Sequence, residues 1–154
     1  MNSITFLSPQ LTALQKALKY KDVSNAKVSK APVAWHIDHS LKVIDTICDA
    51  VLNSDPKHYK RNFNFLRVFC HTFNYIPRGK AKAPRAVRPP EIIKEDAILK
   101  QLEALETKLP LLASLDPNAN FKHPFFNVLN KKQTIRFIKL HTDHHLKIIR
   151  DILK

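Results

Sequence analysis

The stretch LHTDHHLKII, residues 140–149, places three histidines within five positions of a chain that contains eight. The apolar spacing around it predicts a last helix over residues 131–153, in which each residue advances by about 100°. The apolar face of this helix is set by four isoleucines: Ile138, Ile148, Ile149 and Ile152. His141 and His145, four positions apart, fall within that face, and His144 falls at its margin. The helix therefore turns two imidazoles towards the core.

Two inward imidazoles at positions i and i+4 have the spacing with which one helix presents two ligands to a metal ion. Each ring offers a neutral nitrogen to an ion about 2 Å away. The alternative is a pair of core histidines that are hydrogen-bonded to neighbours, because burying such groups is costly unless each is satisfied. The spacing favours a metal site, and a third ligand should then come from another helix.

A second histidine pair lies in WHIDHS, residues 35–40, near the start of the predicted second helix. The apolar face of that helix is set by Val43, Ile44, Ile47 and Val51. His36 lies closer to the centre of this face, and His39 lies at its edge, one turn after Trp35. The periodicity slightly prefers His36 as a ligand but leaves both open. Either could also be a partly exposed histidine near a helix end.

The remaining histidines are weaker candidates. The predicted third helix, residues 57–76, has an apolar stripe made of Tyr59, Phe63, Leu66, Cys70 and Phe73. Arg67 faces away from this stripe. His58 and His71 also fall off it, which predicts that these two side chains are solvated. His123, in KHPFF, could reach the metal site or order its own loop, and the second interpretation is favoured.

The composition favours a helical fold. The chain has ten prolines but only one glycine, Gly79, and tight β-turns depend on glycine. Start and stop signals predict five helical segments: one after Ser8 and Pro9, one over 33–52, one over 57–76, one from Pro90 to Pro110, and one over 131–153. Two long loops, 76–90 and 116–130, join them. The prediction is an all-α four-helix bundle with one additional short or terminal helix, forming a single domain over residues 1–154.

The charge balance bears on the partners. Twenty-six lysines and arginines against 13 acidic residues give a net charge of +13, which suits a nucleic acid or another anionic partner. Nucleic acid is nevertheless not the favoured partner, because the cations are spread over several helices and no helix-turn-helix, zinc-finger or aromatic RNA-binding pattern is present.

The expected cellular location depends on whether the sequence carries a signal peptide or a membrane span. The first twenty residues lack a signal-peptide pattern, and no stretch approaches the roughly 18 apolar residues of a membrane span. Cys48 and Cys70 sit among apolar neighbours and are predicted to be buried free thiols. We therefore expect a cytoplasmic protein with no membrane partner.

Three stretches resemble the DinB/YfiT-like superfamily, and more closely its branch known only as a domain of unknown function: WHIDHSLKVI (35–44), FKHPFFNVLN (121–130) and LHTDHHLKII (140–149). Members of this superfamily are four-helix bundles whose metal site takes one histidine from the second helix and two from an H-x-x-x-H pair on the last core helix. The resemblance therefore assigns the ligands to His39, His141 and His145, against the slight preference of the periodicity for His36. The branch usually has glycine where this chain has Asn127.

Three histidine ligands imply an open metal site, because closed structural sites normally use four protein ligands. Imidazole suits zinc and nickel, with iron and manganese as alternatives. The superfamily contains thiol-dependent transferases and metal-dependent hydrolases, so the resemblance implies a metal-dependent enzyme of one of these kinds. Members are often dimers, which implies a homodimer here.

The basic loop 76–90 bears on the substrate. If it closes over the metal-site end of the bundle, its cations could bind a small anionic substrate such as a carboxylate-bearing thiol: Arg78, Lys80, Lys82 and Arg85. The alternative is a solvated loop without a ligand. Two other functions compete with the enzyme: a basic nucleic-acid-binding bundle and an interaction bundle without catalytic activity.

Overall fold

A computed structural model of the protein describes residues 7–154. The first six residues, which belong to the predicted domain 1–154 and to the segment that lacks a signal-peptide pattern, lie outside this part. The described residues form five α-helices: α1 (Ser8–Ala17), α2 (Val33–Leu52), α3 (Phe65–Phe73), α4 (Glu95–Lys108) and α5 (Lys131–Ile152). Two strands, β1 (Asn120–His123) and β2 (Asn127–Asn130), lie between α4 and α5. The protein is therefore mostly helical, as predicted.

Helix α2 lies at the centre of the fold and packs against both α5 and α4. Thirteen of its 20 residues are buried, because apolar side chains occupy most positions of its central turns. Ile37 and Leu41 of α2 and Ile138 of α5 belong to one hydrophobic core. Burial of each such side chain contributes roughly 1.5–3 kcal/mol. This packing sets the N-terminal half of α2 beside the histidines of α5.

The start of α5 is fixed by a capping box, as the sequence predicts. The Asn130 side chain accepts a hydrogen bond from the Gln133 backbone at 2.9 Å, and the Gln133 side chain accepts one from the Asn130 backbone at 3.1 Å. The two bonds satisfy backbone N–H groups that have no partner within the helix. On the outer face of α5, Asp143 accepts a hydrogen bond from Gln10 at 2.9 Å, which ties α1 to α5.

The loop 116–130 departs from the all-α prediction because it folds into a β-hairpin. The strands are antiparallel, with Asn120 opposite Asn130 and His123 opposite Asn127. Asn127 has a φ of +61°, and asparagine is one of the few residues that adopt this left-handed conformation readily. The hairpin thus turns without a glycine, which explains how Asn127 stands where the resembled branch has one.

His123 orders the turn of this hairpin. Its Nδ1 accepts hydrogen bonds from the backbone of Phe125 and Phe126, each at 3.1 Å. The ring also stacks on Phe126, with 4.5 Å between centroids. The structure therefore supports the loop-ordering interpretation of His123 and not a ligand role.

Helix α3 is shorter than the predicted helix over residues 57–76. A single 3₁₀ turn, Pro56–His58, precedes it, and the chain from 59 to 64 is not helical. The side chain of Asn64 accepts a hydrogen bond from the Arg67 backbone at 2.8 Å. Asparagine competes with the backbone for hydrogen bonds and favours a helix cap over a helix interior, so the helix begins at Phe65.

The orientation of α3 is the reverse of the prediction. Only Cys70 of the predicted apolar stripe is buried, whereas Arg67 and His71 are buried at 5% and 7% exposure. The Arg67 guanidinium donates hydrogen bonds to the side chain and carbonyl of Asn62, at 2.8 and 2.6 Å, and to the carbonyl of Phe126 at 3.0 Å. These acceptors make the burial of a cation tolerable. The prediction that His71 is solvated is wrong, whereas His58 is exposed as predicted.

Replacement of Arg67 tests whether its guanidinium anchors α3. Arg67→Ala should lower the free energy of unfolding by about 3 kcal/mol, because it leaves buried carbonyl and amide oxygens without a donor. Arg61→Ala, an exposed arginine of the same segment, should change it by no more than about 0.5 kcal/mol. Urea unfolding of both variants measures the difference. Equal stability of the two variants would show that the guanidinium contributes nothing.

His71 should make the stability depend on pH. Burial, with added effects of Arg136 and Arg67, lowers the pKa of His71 from 6.5 to about 4. Between these values the unfolded chain binds a proton that the folded chain does not, so stability is intact above pH 6.5 and falls as the pH drops towards 4. The loss is at most about 3 kcal/mol. In urea unfolding at pH 7 and pH 5, His71→Gln should flatten this dependence, whereas the exposed control His58→Gln should not.

Candidate metal centre

Three histidines from two helices meet between α2 and α5. One nitrogen from each of His39, His141 and His145 lies within 4.8 Å of the other two. The ring centroids are 5.2 Å apart for His39 and His141, 4.8 Å for His39 and His145, and 4.6 Å for the α5 pair. These are the three residues that the resemblance assigns as ligands, and they could together bind one metal ion.

The donor set fits a divalent metal, with a small adjustment. Three imidazoles suit zinc, nickel or another first-row ion. Nitrogens that share a tetrahedral ion at about 2.1 Å lie roughly 3.4 Å apart. For all three to bind one ion, nitrogens up to 4.8 Å apart would have to approach one another by as much as about 1.4 Å.

The outer nitrogen of His39 is held by the basic loop. Nδ1 of His39 lies 2.8 Å from the carbonyl oxygen of Val87. A carbonyl only accepts, so Nδ1 carries the hydrogen and Nε2 keeps its lone pair for a metal. Val87 is buried within a 3₁₀ turn, Arg85–Val87. The loop 76–90 therefore packs against the end of α2 that carries the histidine cluster.

A chain of hydrogen bonds leads outward from His145. Its Nδ1 lies 3.0 Å from Nδ1 of His36, and Nε2 of His36 lies 3.0 Å from Oγ of Ser29. The backbone of Ala31 donates to the same oxygen at 3.1 Å. If His145 binds a metal through Nε2, its Nδ1 donates to His36, which in turn donates to Ser29. Both ring hydrogens in the chain then have an acceptor.

The inward position of His36 explains why the helical periodicity slightly favours it as a ligand. His36 does point inward, as the helical wheel indicates, and its side chain is buried. Both of its nitrogens are hydrogen-bonded within the protein. His36 therefore orients His145, while His39 lies in the histidine cluster.

His141 differs from the other two clustered histidines in its hydrogen bonding. Its Nδ1 is buried and, among the described residues, has no hydrogen-bond partner, which is costly for a polar atom away from water. Burial lowers the pKa of His141 and His145 well below the usual value, and the neighbouring histidines add to the effect. Burial also lowers the pKa of His39, although its bond to Val87 opposes this. All three rings are thus in the neutral form that binds metals.

Trp35 covers one side of the cluster. Its indole stacks on the ring of His39 with 4.7 Å between centroids and 21° between planes, and meets His36 edge-on at 5.2 Å. Sequence analysis gave Trp35 no role. The signal was its position four residues before His39, which places both rings on one side of α2.

A small cationic cavity adjoins the cluster at His144. The cavity has a volume of about 60 Å³ and is lined by Asn74, Tyr75, Ile76, Arg78, His144 and Lys147. Burial, followed by the charges of Arg78 and Lys147, lowers the pKa of His144 to about 4, although a hydrogen bond to the Ile76 backbone opposes this. Arg78 also forms an ion pair with Asp151 at 2.8 Å. The positive charge around this cavity favours an anionic group.

Asp38 and the two cysteines are the other side chains considered as a general base or a nucleophile. Asp38 is buried, with Lys42 at 2.7 Å and a hydrogen bond from Gln101 at 2.7 Å, so it does not serve as a general base. Cys48 and Cys70 are buried free thiols, as predicted. Burial raises the pKa of Cys48 to about 12, which leaves almost no thiolate at neutral pH.

Searches of protein-family models, curated proteins and solved structures found no match for this chain. Membership of the DinB/YfiT-like superfamily therefore stays a prediction that depends on the three stretches of sequence quoted above. None of the described helices has the length and apolar character needed to cross a membrane.

The hydrogen-bond chain behind His145 predicts an effect on metal affinity. Ser29→Ala and His36→Gln should each weaken metal binding about 10- to 100-fold, because they remove the groups that orient His145. Competition with a chromogenic chelator measures the affinity, and saturation with zinc should still give one ion per chain. Ser24→Ala, an exposed serine of the same segment, is the matched control. Unchanged affinity in both test variants would mean that the chain does not orient a ligand.

Proposed function

We propose that the protein is a metal-dependent enzyme whose divalent ion is bound by His39, His141 and His145. One observation carries the proposal: these rings converge from two helices, and groups outside the cluster already hold the Nδ1 atoms of His39 and His145. Metal sites characteristically fix their histidine ligands through such outer hydrogen bonds. Zinc and nickel are the ions best suited to three imidazoles, with iron and manganese as alternatives.

Three protein ligands make the site open. His39, His141 and His145 would leave at least one coordination position of a divalent ion free, where the ion would acidify a water or a thiol or polarise a carbonyl oxygen. Two residues beside the three histidines support the site and are not ligands. Trp35 shields the His39 side of the cluster from water, and His36 holds the orientation of His145.

The class of reaction is inferred from the state of Asp38 and Cys48 and from the charge beside the cluster. Among the described residues, Asp38 and Cys48 are excluded as base and nucleophile by their ion pair and their burial. We infer that the attacking group is an activated water or the thiol of a substrate, which corresponds to a hydrolase or a thiol-dependent transferase. Arg78 and Lys147 beside the cluster favour a small anionic substrate, such as a carboxylate-bearing thiol.

The second candidate function is a basic nucleic-acid-binding bundle, favoured by the net charge of +13. Binding to phosphates would weaken steeply as salt is added. Salt-titrated binding to random DNA and RNA tests it, and a metal-free protein that binds either one would replace the enzyme with this function. A homodimer and a cytoplasmic location stay predictions.

Elemental analysis of the protein purified without an affinity tag tests the metal site. The wild type should contain about one divalent ion per chain, and each of His39→Ala, His141→Ala and His145→Ala should lose most of it, because two imidazoles bind far more weakly than three. His58→Ala, at an exposed position, should keep the wild-type content. A wild type that stays metal-free after incubation with zinc and nickel would contradict the proposal, as would His39→Ala with full content.

A further inference from the structure

Helix α3 and its flanks carry seven exposed apolar side chains, which we call the aromatic face: Phe63, Phe65, Leu66, Val68, Phe69, Phe73 and Tyr75. Phe63 is 76% exposed, Phe65 74% and Phe73 66%. On the helix, the exposed apolar residues occupy one side and the buried residues occupy the other. Phe63 lies two residues before Phe65 in a non-helical segment, and the rings of Phe69 and Phe73 are 4.9 Å apart.

The exposed apolar area of the aromatic face is large for the surface of a monomer. Its four phenylalanines alone expose on the order of 500 Å², since one such side chain offers about 200 Å². A monomer rarely exposes a contiguous apolar patch of more than a few hundred Å² unless it binds something.

The face is held outward by the polar side of the same helix. Arg67 is bonded to Asn62 and to the carbonyl of Phe126, and the carbonyl of His71 accepts a hydrogen bond from Arg136 of α5. Turning the helix over would bury the phenylalanines but would break these bonds. The outward orientation is therefore built into the fold.

The segment that contains the face contributes positive charge only, although one of its cations, Arg78, is ion-paired with Asp151. Residues 56–90 contain nine lysines and arginines and no acidic residue. All but Arg67 are exposed: Lys57, Lys60, Arg61, Arg78, Lys80, Lys82, Arg85 and Arg88. Apolar aromatic side chains with a basic border have the composition of a surface that inserts between lipid headgroups.

We propose that the aromatic face docks on an anionic lipid surface, with its phenylalanines at the headgroup boundary and the flanking cations on the phosphates. This adds to the proposed function and does not depend on it. It also revises the expectation that no membrane is a partner, since a surface-bound protein needs no spanning helix.

The same observations disfavour two other occupants. A symmetric dimer through this face would bring two acid-free basic segments together without any opposite charge. Single-stranded nucleic acid needs flat rings for base stacking, whereas Leu66 and Val68 add aliphatic surface at the two margins of the face.

Co-sedimentation with vesicles tests the proposal on the full chain. Wild-type protein should bind vesicles of equal parts phosphatidylcholine and phosphatidylglycerol at least about tenfold more tightly than vesicles of phosphatidylcholine alone. The double variant Phe65→Gln, Phe73→Gln should lose about tenfold or more of that affinity. The matched control is Ile92→Gln, Leu111→Gln, which changes two apolar residues that are 77% and 52% exposed elsewhere and should bind as the wild type does.

A second pair of variants separates the basic border from the overall charge. Lys60→Gln, Arg61→Gln should weaken binding more than Lys27→Gln, Lys100→Gln, which removes the same charge from exposed positions outside residues 56–90. Equal binding by the phenylalanine variant and the wild type would overturn the proposal. So would a wild-type dimer in sedimentation velocity that the same phenylalanine variant dissociates, because the face would then be an interface between copies.

Discussion

Helices α2 and α5 pack so closely that the imidazoles on their facing sides must find partners inside the protein. His36 and His39 come from one helix and His141 and His145 from the other, and all four lie in or beside the hydrophobic core. A buried imidazole nitrogen without a partner is costly, and a charged ring would cost more. The fold accepts four such rings at one place, which is difficult to explain by packing alone.

The irregular segments supply the partners that the helices cannot. The segment before α2 contributes Ser29 to the bond chain behind His145, and the basic loop contributes the carbonyl of Val87 to His39. Each contact occupies one nitrogen of a clustered ring, directly for His39 and through His36 for His145. The other nitrogen of that ring stays available to a metal. The loops therefore do more than connect helices, because they set which nitrogen of His39 and of His145 faces the candidate metal.

Much of this arrangement could be predicted from the sequence. The bounds of α2 and α5, the capping box at Asn130 and the inward direction of the α5 pair follow from periodicity and local hydrogen-bonding rules, which act over a few residues. The choice between His36 and His39 could not, because both point inward and the difference lies in contacts with Ser29 and Val87. A backbone carbonyl such as that of Val87 leaves no signature in a sequence.

Periodicity also failed for α3 and the hairpin, for physical reasons. It locates the apolar side of a helix but does not say whether that side faces the core, and the bonds of Arg67 turn α3 over. The hairpin was missed because Asn127 takes the conformation usually left to glycine. The most direct test of the metal centre is anomalous diffraction at the zinc edge from zinc-soaked crystals. We expect one peak about 2.1 Å from a nitrogen of His39, His141 and His145. A peak bound by His36, or no peak near these rings, would contradict the assignment.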